Sequence, residues 1–290
     1  MALPRSALPL LAALTLLVCG TAAIPDARAQ GWTQPRGHGY YKLGIRHVSA
    51  TRFYEPGGNT IPIPTLRTYT VSFYGEHGLT DHLTLVAYVP FYDRITLNRQ
   101  VGRESGFEFF EGDAVSGIAD ADLGLRIGLV QNRPTVVSAG FKVGLPLGRD
   151  EQENGLLTGD GEWNQTVTLG AGHSFYPAPA YAKAAAGFNN RTRGYSDEVV
   201  YLVEGGYTFR QAVTLAVRIQ GVASLKNGDD AVLGGTGGLY ANNQQYLAYG
   251  LEVGYTHRDA YGISFSVEGA TLAENVLAAP AFSVGLFVKR

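Results

Sequence analysis

The sequence predicts an all-β fold, a closed antiparallel transmembrane β-barrel of about twelve strands, and three observations predict it. Apolar and polar residues alternate with a period of two in segment after segment, which is the pattern of strands with two unlike faces. The connections between these segments alternate long and short, so that short turns gather at one end, the periplasmic end of such a barrel, and long loops at the extracellular end. The chain also opens with an export leader, and no later apolar run reaches the length of a spanning helix.

The leader is residues 1–29. Arg5 precedes the apolar run 8–18, and Ala27-Arg28-Ala29 is a small-residue cleavage signal before Gln30. The run is shorter than the ~20 residues of a membrane anchor. A lipoprotein site at Cys19 ranks below simple cleavage, because Val18 stands where such sites carry a small residue. Residues 30–290 then form the barrel and contain no cysteine, so they need neither disulfides nor a cysteine-bound metal. A formal net charge of −2 gives no electrostatic argument for nucleic acid as a partner. With 38 glycines, 17 tyrosines and only 17% charged residues, the composition suits either a soluble β-sandwich or an outer-membrane barrel. The loop segregation favours the barrel, since a sandwich has no reason to sort its connections by length.

The strands follow in order. Residues 39–52 set Tyr41, Leu43 and Ile45 against Lys42, Gly44 and Arg46. Residues 66–94 form a hairpin, with Tyr69, Val71 and Phe73 on one face of its first arm and Leu83, Leu85, Ala87, Val89 and Phe91 on one face of its second. Gly78 to His82 supply its turn. Residues 119–130 oppose Leu123, Leu125, Ile127 and Leu129 to Asp122, Gly124 and Arg126. Residues 135–147 oppose Val137, Ala139, Phe141 and Val143 to Ser138, Gly140 and Lys142. Residues 165–176 and 181–190 flank a Pro-Ala-Pro-Ala turn. Segments 198–209, 213–224, 244–257, 261–270 and 281–290 continue the alternation, with Glu204, Arg218, Glu252, Glu268 and Lys289 opposite their apolar faces. Long loops are expected at 55–65, 97–118, 149–164, 191–196, 226–243 and 271–280. Short turns are expected at 80–81, 131–134, 177–180, 210–212 and 258–260.

A charge facing lipid at mid-depth costs ~2–4 kcal/mol for Arg or Lys. The charged faces are therefore assigned to the lumen, and Lys42, Arg46, Glu76, Asp122, Arg126, Lys142, Lys183, Glu204, Arg218, Glu252 and Glu268 become candidate lumen-lining residues that bear on transport. Phe175, Tyr176, Tyr181, Tyr207, Phe209, Tyr255 and Tyr261 crowd the short-turn end as an interfacial girdle. Pro90 and Pro146 cannot donate to a ladder and mark bulges or strand ends.

Several of these motifs carry a family resemblance. Tyr74-Gly75-Glu76-His77-Gly78-Leu79-Thr80-Asp81, followed by Leu83-Thr84-Leu85 and Val89-Pro90, resembles the hairpin of an outer-membrane transporter family named for the meta-cleavage pathway of phenol degradation. Asp120 to Arg126 resembles its next strand, Phe141 to Gly148 the strand after it, with Leu147 at a usual threonine, and Leu157-Thr158-Gly159-Asp160-Gly161 its glycine-bearing loop. The resemblance implies a barrel in the outer membrane of a Gram-negative bacterium that moves small, often aromatic or apolar, molecules. Its partners would be outer-membrane lipids, the barrel-assembly machinery and a small-molecule solute. It brings no catalytic residues and no cofactor.

Two other readings compete with a channel. His47-Val48-Ser49 places a base and a hydroxyl on one strand face, as an outer-membrane lipid hydrolase would need, but the sequence shows neither an orienting group nor an oxyanion site. A structural or adhesive barrel would have a plugged lumen and binding loops. Asp113, Asp120 and Asp122 lack the spacing of a calcium loop and are read as ordinary solvated loop. Gly234 to Gly238 lacks the Gly-Lys-Ser/Thr ending of a nucleotide loop, and the six histidines show no metal-ligand spacing.

Overall fold

The computed structural model describes residues 31–229 and 234–290; the predicted leader, residues 1–29, lies outside them. Twelve long strands make one antiparallel ring: β1 (Gly39–Tyr54), β2 (Thr60–Thr80), β3 (Leu83–Leu97), β4 (Ala121–Val130), β5 (Thr135–Leu145), β6 (Asn164–Ser174), β7 (Ala180–Asn190), β8 (Glu198–Phe209), β9 (Val213–Ser224), β10 (Gln245–His257), β11 (Tyr261–Glu274) and β12 (Ala281–Lys289). Each pairs with its neighbours in sequence, and β1 closes the ring by pairing with both β2 and β12, Gly44 lying opposite Ser72 on one side and Gly285 on the other. Closure leaves no sheet edge in lipid, where an unpaired backbone group has no water to bond.

The alternation places the side chains as a barrel in lipid requires. On β4, Leu123, Leu125, Ile127 and Leu129 are between 41% and 58% exposed, while Arg126 among them is 6% exposed. Apolar residues thus face out and charged ones in, the inverse of a water-soluble sheet. Six of the seven girdle aromatics stand exposed on the outer face or in turns at the short-turn end. Tyr181 does not. It shares the inward face of β7 with Lys183, lies over Gly206 across the ladder and donates from its hydroxyl to Glu204 at 2.8 Å. A Cβ at Gly206 would sit 2.3 Å from the Tyr181 ring, so the bare glycine is what lets the ring turn inward.

The expected long loops are partly strand. β1 and β2 continue pairing past a bulge between Ala50 and Arg52, as far as Tyr54 opposite Thr60, and their connection shrinks to 55–59. Pro62 and Pro64 suggest loop in the sequence, yet Pro62 sits in register opposite Arg52 near the exposed strand end. Residues 97–118 contain a small hairpin, Gln100–Val101 with Glu108–Phe110, and a segment Asp113–Gly117 paired with the outer part of β3. Val276–Leu277 pairs with Phe53 and Tyr54. The ladder shifts opposite Pro90, and β5 ends one residue before Pro146.

Candidate functional site

The lumen is built in three levels. At the short-turn end it has a floor, made by residues 31–38 ahead of β1. Gly31 donates its N–H to Ser138 on β5 at 3.2 Å. Trp32 stacks edge-on against Tyr181 of β7, with ring centroids 6.1 Å apart, and covers Gly172 of β6. The Trp32 carbonyl accepts from Arg126 on β4 at 3.0 Å. Gln34 donates its N–H to Thr84 on β3 and its side-chain amide to Glu76 on β2. The segment leaves the lumen past Gly78, whose N–H and carbonyl bond His38 and Gly37. A Cβ at Gly78 would lie 2.1 Å from the Pro35 carbonyl. The sequence assigns this glycine to the hairpin turn; the turn itself is Asp81-His82, and Gly78 makes room for the floor.

Above the floor runs a belt of charge. Arg46 meets Glu268 at 3.0 Å, Glu268 meets Arg218 at 3.4 Å, and Arg218 and Lys183 share Glu204 at 2.5 and 3.0 Å. Arg126 meets Glu76 at 3.4 Å, and Lys142 meets Asp122 at 2.9 Å. The structure thus brings at least nine of the eleven candidate lumen residues into ion pairs. Lys42 is buried on the inward face of β1, with its stem over Gly285, and Glu252 faces inward on β10. Buried charges persist only when paired and hydrogen-bonded.

The third level is a cap at the long-loop end. Leu156 and Leu239 fold down onto Val48, Ala50, Leu66 and Ile95, making an apolar cluster inside the mouth. Gly234, Gly235, Gly237 and Gly238 all take positive φ, and Gly235 approaches the Gly155 carbonyl too closely for a side chain. The glycine run is therefore the tip of an inward-folded loop. Beside it, Asp120 accepts the N–H groups of Gly148 (2.8 Å) and Asp160 (2.9 Å). Three of the motifs that carry the family resemblance, those of Asp120, Gly148 and Asp160, meet at that carboxylate. Asp120 is not solvated loop, and it is separate from Asp122, which pairs with Lys142, and from Asp113, which caps Ala114. Arg191 lies between Asp160 (3.4 Å), Glu198 (2.6 Å) and Glu162, with its guanidinium 4.3 Å from the Tyr195 ring centre.

Burial, reinforced by the charge of Asp160, pushes the Asp120 carboxyl up to about 7. Burial and then Glu162 push Asp160 up to about 7 as well, against the pull of Arg191. Glu162 is raised, chiefly by burial. Burial alone would lower Arg191, but Glu198 and Glu162 outweigh it and hold the guanidinium above its usual range.

Between belt and cap lies a cavity of about 370 Å³. Tyr88, Tyr240 and Tyr246 supply aromatic wall, and Asp93, Asp120 and Gln220 supply polar groups. Asp93 is buried, and Thr70 donates to it at 2.6 Å. The sequence reading missed Asp93, Arg191 and the floor; Gln220 falls on the predicted inward face of β9 with Arg218 but carries no charge to mark it as a candidate. Asp93 follows the Pro90 bulge, which shifts the inward parity of β3, and residues 31–38 lie ahead of any alternation. His47 and Ser49 stand on the outward face of β1. His47 Nδ1 donates to the Thr68 carbonyl at 3.0 Å, its ring stacks on Tyr69, and no hydrogen bond joins it to Ser49. Among the described residues no group of three His, Cys, Asp or Glu side chains is placed to hold a metal ion.

With this geometry, the chain is similar in fold to solved outer-membrane barrels. An outer membrane channel from Pseudomonas putida F1 superposes with a TM-score of 0.66 at 13% identity, covering 92% of this chain and all of that one. The NanC porin gives 0.51 at 7% identity over 87% of this chain and all of its own, and the translocator domain of autotransporter NalP from Neisseria meningitidis gives 0.50 at 11%, over 91% and 90%. No protein-family model matches the sequence, and no curated protein matches it. The fold is that of the outer-membrane barrels of Gram-negative bacteria.

Proposed function

We propose that this chain is an outer-membrane channel for small molecules, exported by a cleaved leader, with its short turns periplasmic and its floor on that side. The observation that carries the reading is a lumenal cavity of about 370 Å³ inside a closed wall whose outer face is apolar. Cavities that bind small molecules begin near ~300 Å³. The resemblance of the hairpin, strand and loop motifs to the transporter family named for phenol degradation supports this reading and favours small aromatic solutes. The test is single-channel conductance of refolded residues 30–290 in a planar bilayer, together with solute uptake into liposomes. Stable conductance steps and uptake faster than in empty vesicles are expected. Uptake no faster than in empty vesicles would overturn the reading.

A second reading, a plugged barrel with a structural role, is favoured by the floor and the cap, which lie inside the barrel toward its two ends. The same recording separates the two, since a correctly folded barrel that stays silent after removal of the floor supports the structural role.

A further inference from the structure

The groups that line the cavity divide into committed and uncommitted ones. Its cations are committed: Arg46 to Glu268, Arg126 to Glu76, Lys142 to Asp122 and Arg191 to three carboxylates at once. The groups left to meet a ligand are mostly acceptors, two carboxylates and an amide oxygen; beside them Arg46 Nε makes no hydrogen bond, although the same guanidinium pairs with Glu268 through its Nη1. Asp93 has no ion pair among the described residues, and its carboxylate receives one hydroxyl. Asp120 receives two backbone N–H groups and no cation. Gln220 is 5% exposed, lines the cavity, and its Oε1 has no hydrogen-bond partner. A buried acceptor without a donor is destabilising, and an occupant that donates to it removes that cost. Acceptors in excess, carboxylates in excess and aromatic walls complement a ligand with a protonated amine and an apolar body, because ammonium groups also favour the faces of aromatic rings. A metal ion fits less well, since no three ligating side chains converge.

We propose that the chamber between belt and cap binds small organic amines in their protonated form, through Asp93 and Gln220 with Tyr240 and Tyr246 as wall, and discriminates against aromatic acids of the same size. This deepens the channel reading and rests on it for its place in transport, but the binding site is testable separately.

The test is equilibrium dialysis of refolded residues 30–290 against three probes of one shape: phenethylamine, phenethyl alcohol and phenylacetate. The amine should bind at one site at least about tenfold more tightly than the alcohol, and the acid should bind more weakly than the alcohol. Asp93→Asn should reduce amine binding about tenfold, while Asp259→Asn, at an exposed short turn, should leave it unchanged. Where Asp93→Asn does not yield the compact heat-modifiable species on a gel, Gln220→Leu takes its place and should also weaken the amine. Equal binding of the three probes, preference for the acid, or amine binding that survives the folded variant would overturn the proposal. Amine binding without flux through liposomes would remove the channel reading and keep the site. Flux without amine preference would do the reverse.

Discussion

Glu204 is the carboxylate that two cations share, Lys183 and Arg218, the latter reaching Glu268 as well, and Tyr181 donates to it. Removing one partner of a buried pair strands the other charge at a cost of about 3–5 kcal/mol. Glu204→Ala is therefore expected to lose about that much stability, read from equilibrium denaturation of the refolded barrel in detergent. A loss under about 1 kcal/mol, the scale of exposed pairs, would mean that water reaches the belt. A gain is available at the short turns. Arg258 and Asp259 both take left-handed φ, at 48° and 53°, as do Arg210 and Gln211. Such hairpin turns favour Asn-Gly, and a left-handed residue with a Cβ costs roughly 1–2 kcal/mol. Arg258→Asn with Asp259→Gly should raise stability by about 1 kcal/mol in the same assay; no change would show that the turn is already relaxed.

At the scale of the element, the floor and the cap make different predictions. Deleting residues 31–37 removes Trp32 and Gln34 from the lumen and takes away the Gly37 N–H that the Gly78 carbonyl accepts. Conductance should rise severalfold without loss of the barrel, and an unchanged conductance would place the main constriction in the cap. The cap should respond to pH. Asp120 and Asp160 titrate near 7 in place, and Glu162 is raised with them, so the folded cap holds protons that an opened loop releases. Closure is then most favourable below about pH 4 and weakens as pH rises to about 7. Arg191 stays charged throughout, and burial keeps Tyr195 and Tyr240 neutral in that window. Amide exchange in residues 149–163, corrected for its intrinsic pH dependence, should quicken from pH 5 to pH 7.5. Slower corrected exchange would contradict the sign. The elements were also where the sequence was most and least legible. The wall can be read because lumen and lipid impose a period of two, which fixes faces such as that of Leu123 to Leu129. Tyr181 defeats an aromatic count, since its direction depends on a glycine across the ladder. Asp93 defeats a parity count, since the bulge at Pro90 intervenes. The floor and the glycine run of the cap have no periodicity, and their partners lie tens to over a hundred residues away.

The whole molecule is a ring closed between its first and last long strands, and two braces cross its interior. Residues 31, 32 and 34 touch six neighbouring strands in turn, β2 through β7. The chain of ion pairs from Arg46 to Lys183 ties β1, β11, β9, β8 and β7. A tube of strands resists flattening poorly, because neighbours can hinge about their shared hydrogen bonds. One half of this circumference is stiffened by a strut of polypeptide and the other by a strut of charge. The cross-section is thus held round by two unlike supports that meet at β7. Pulling out the first strut would leave the second in place, and the tube would go out of round on the β2–β7 side alone.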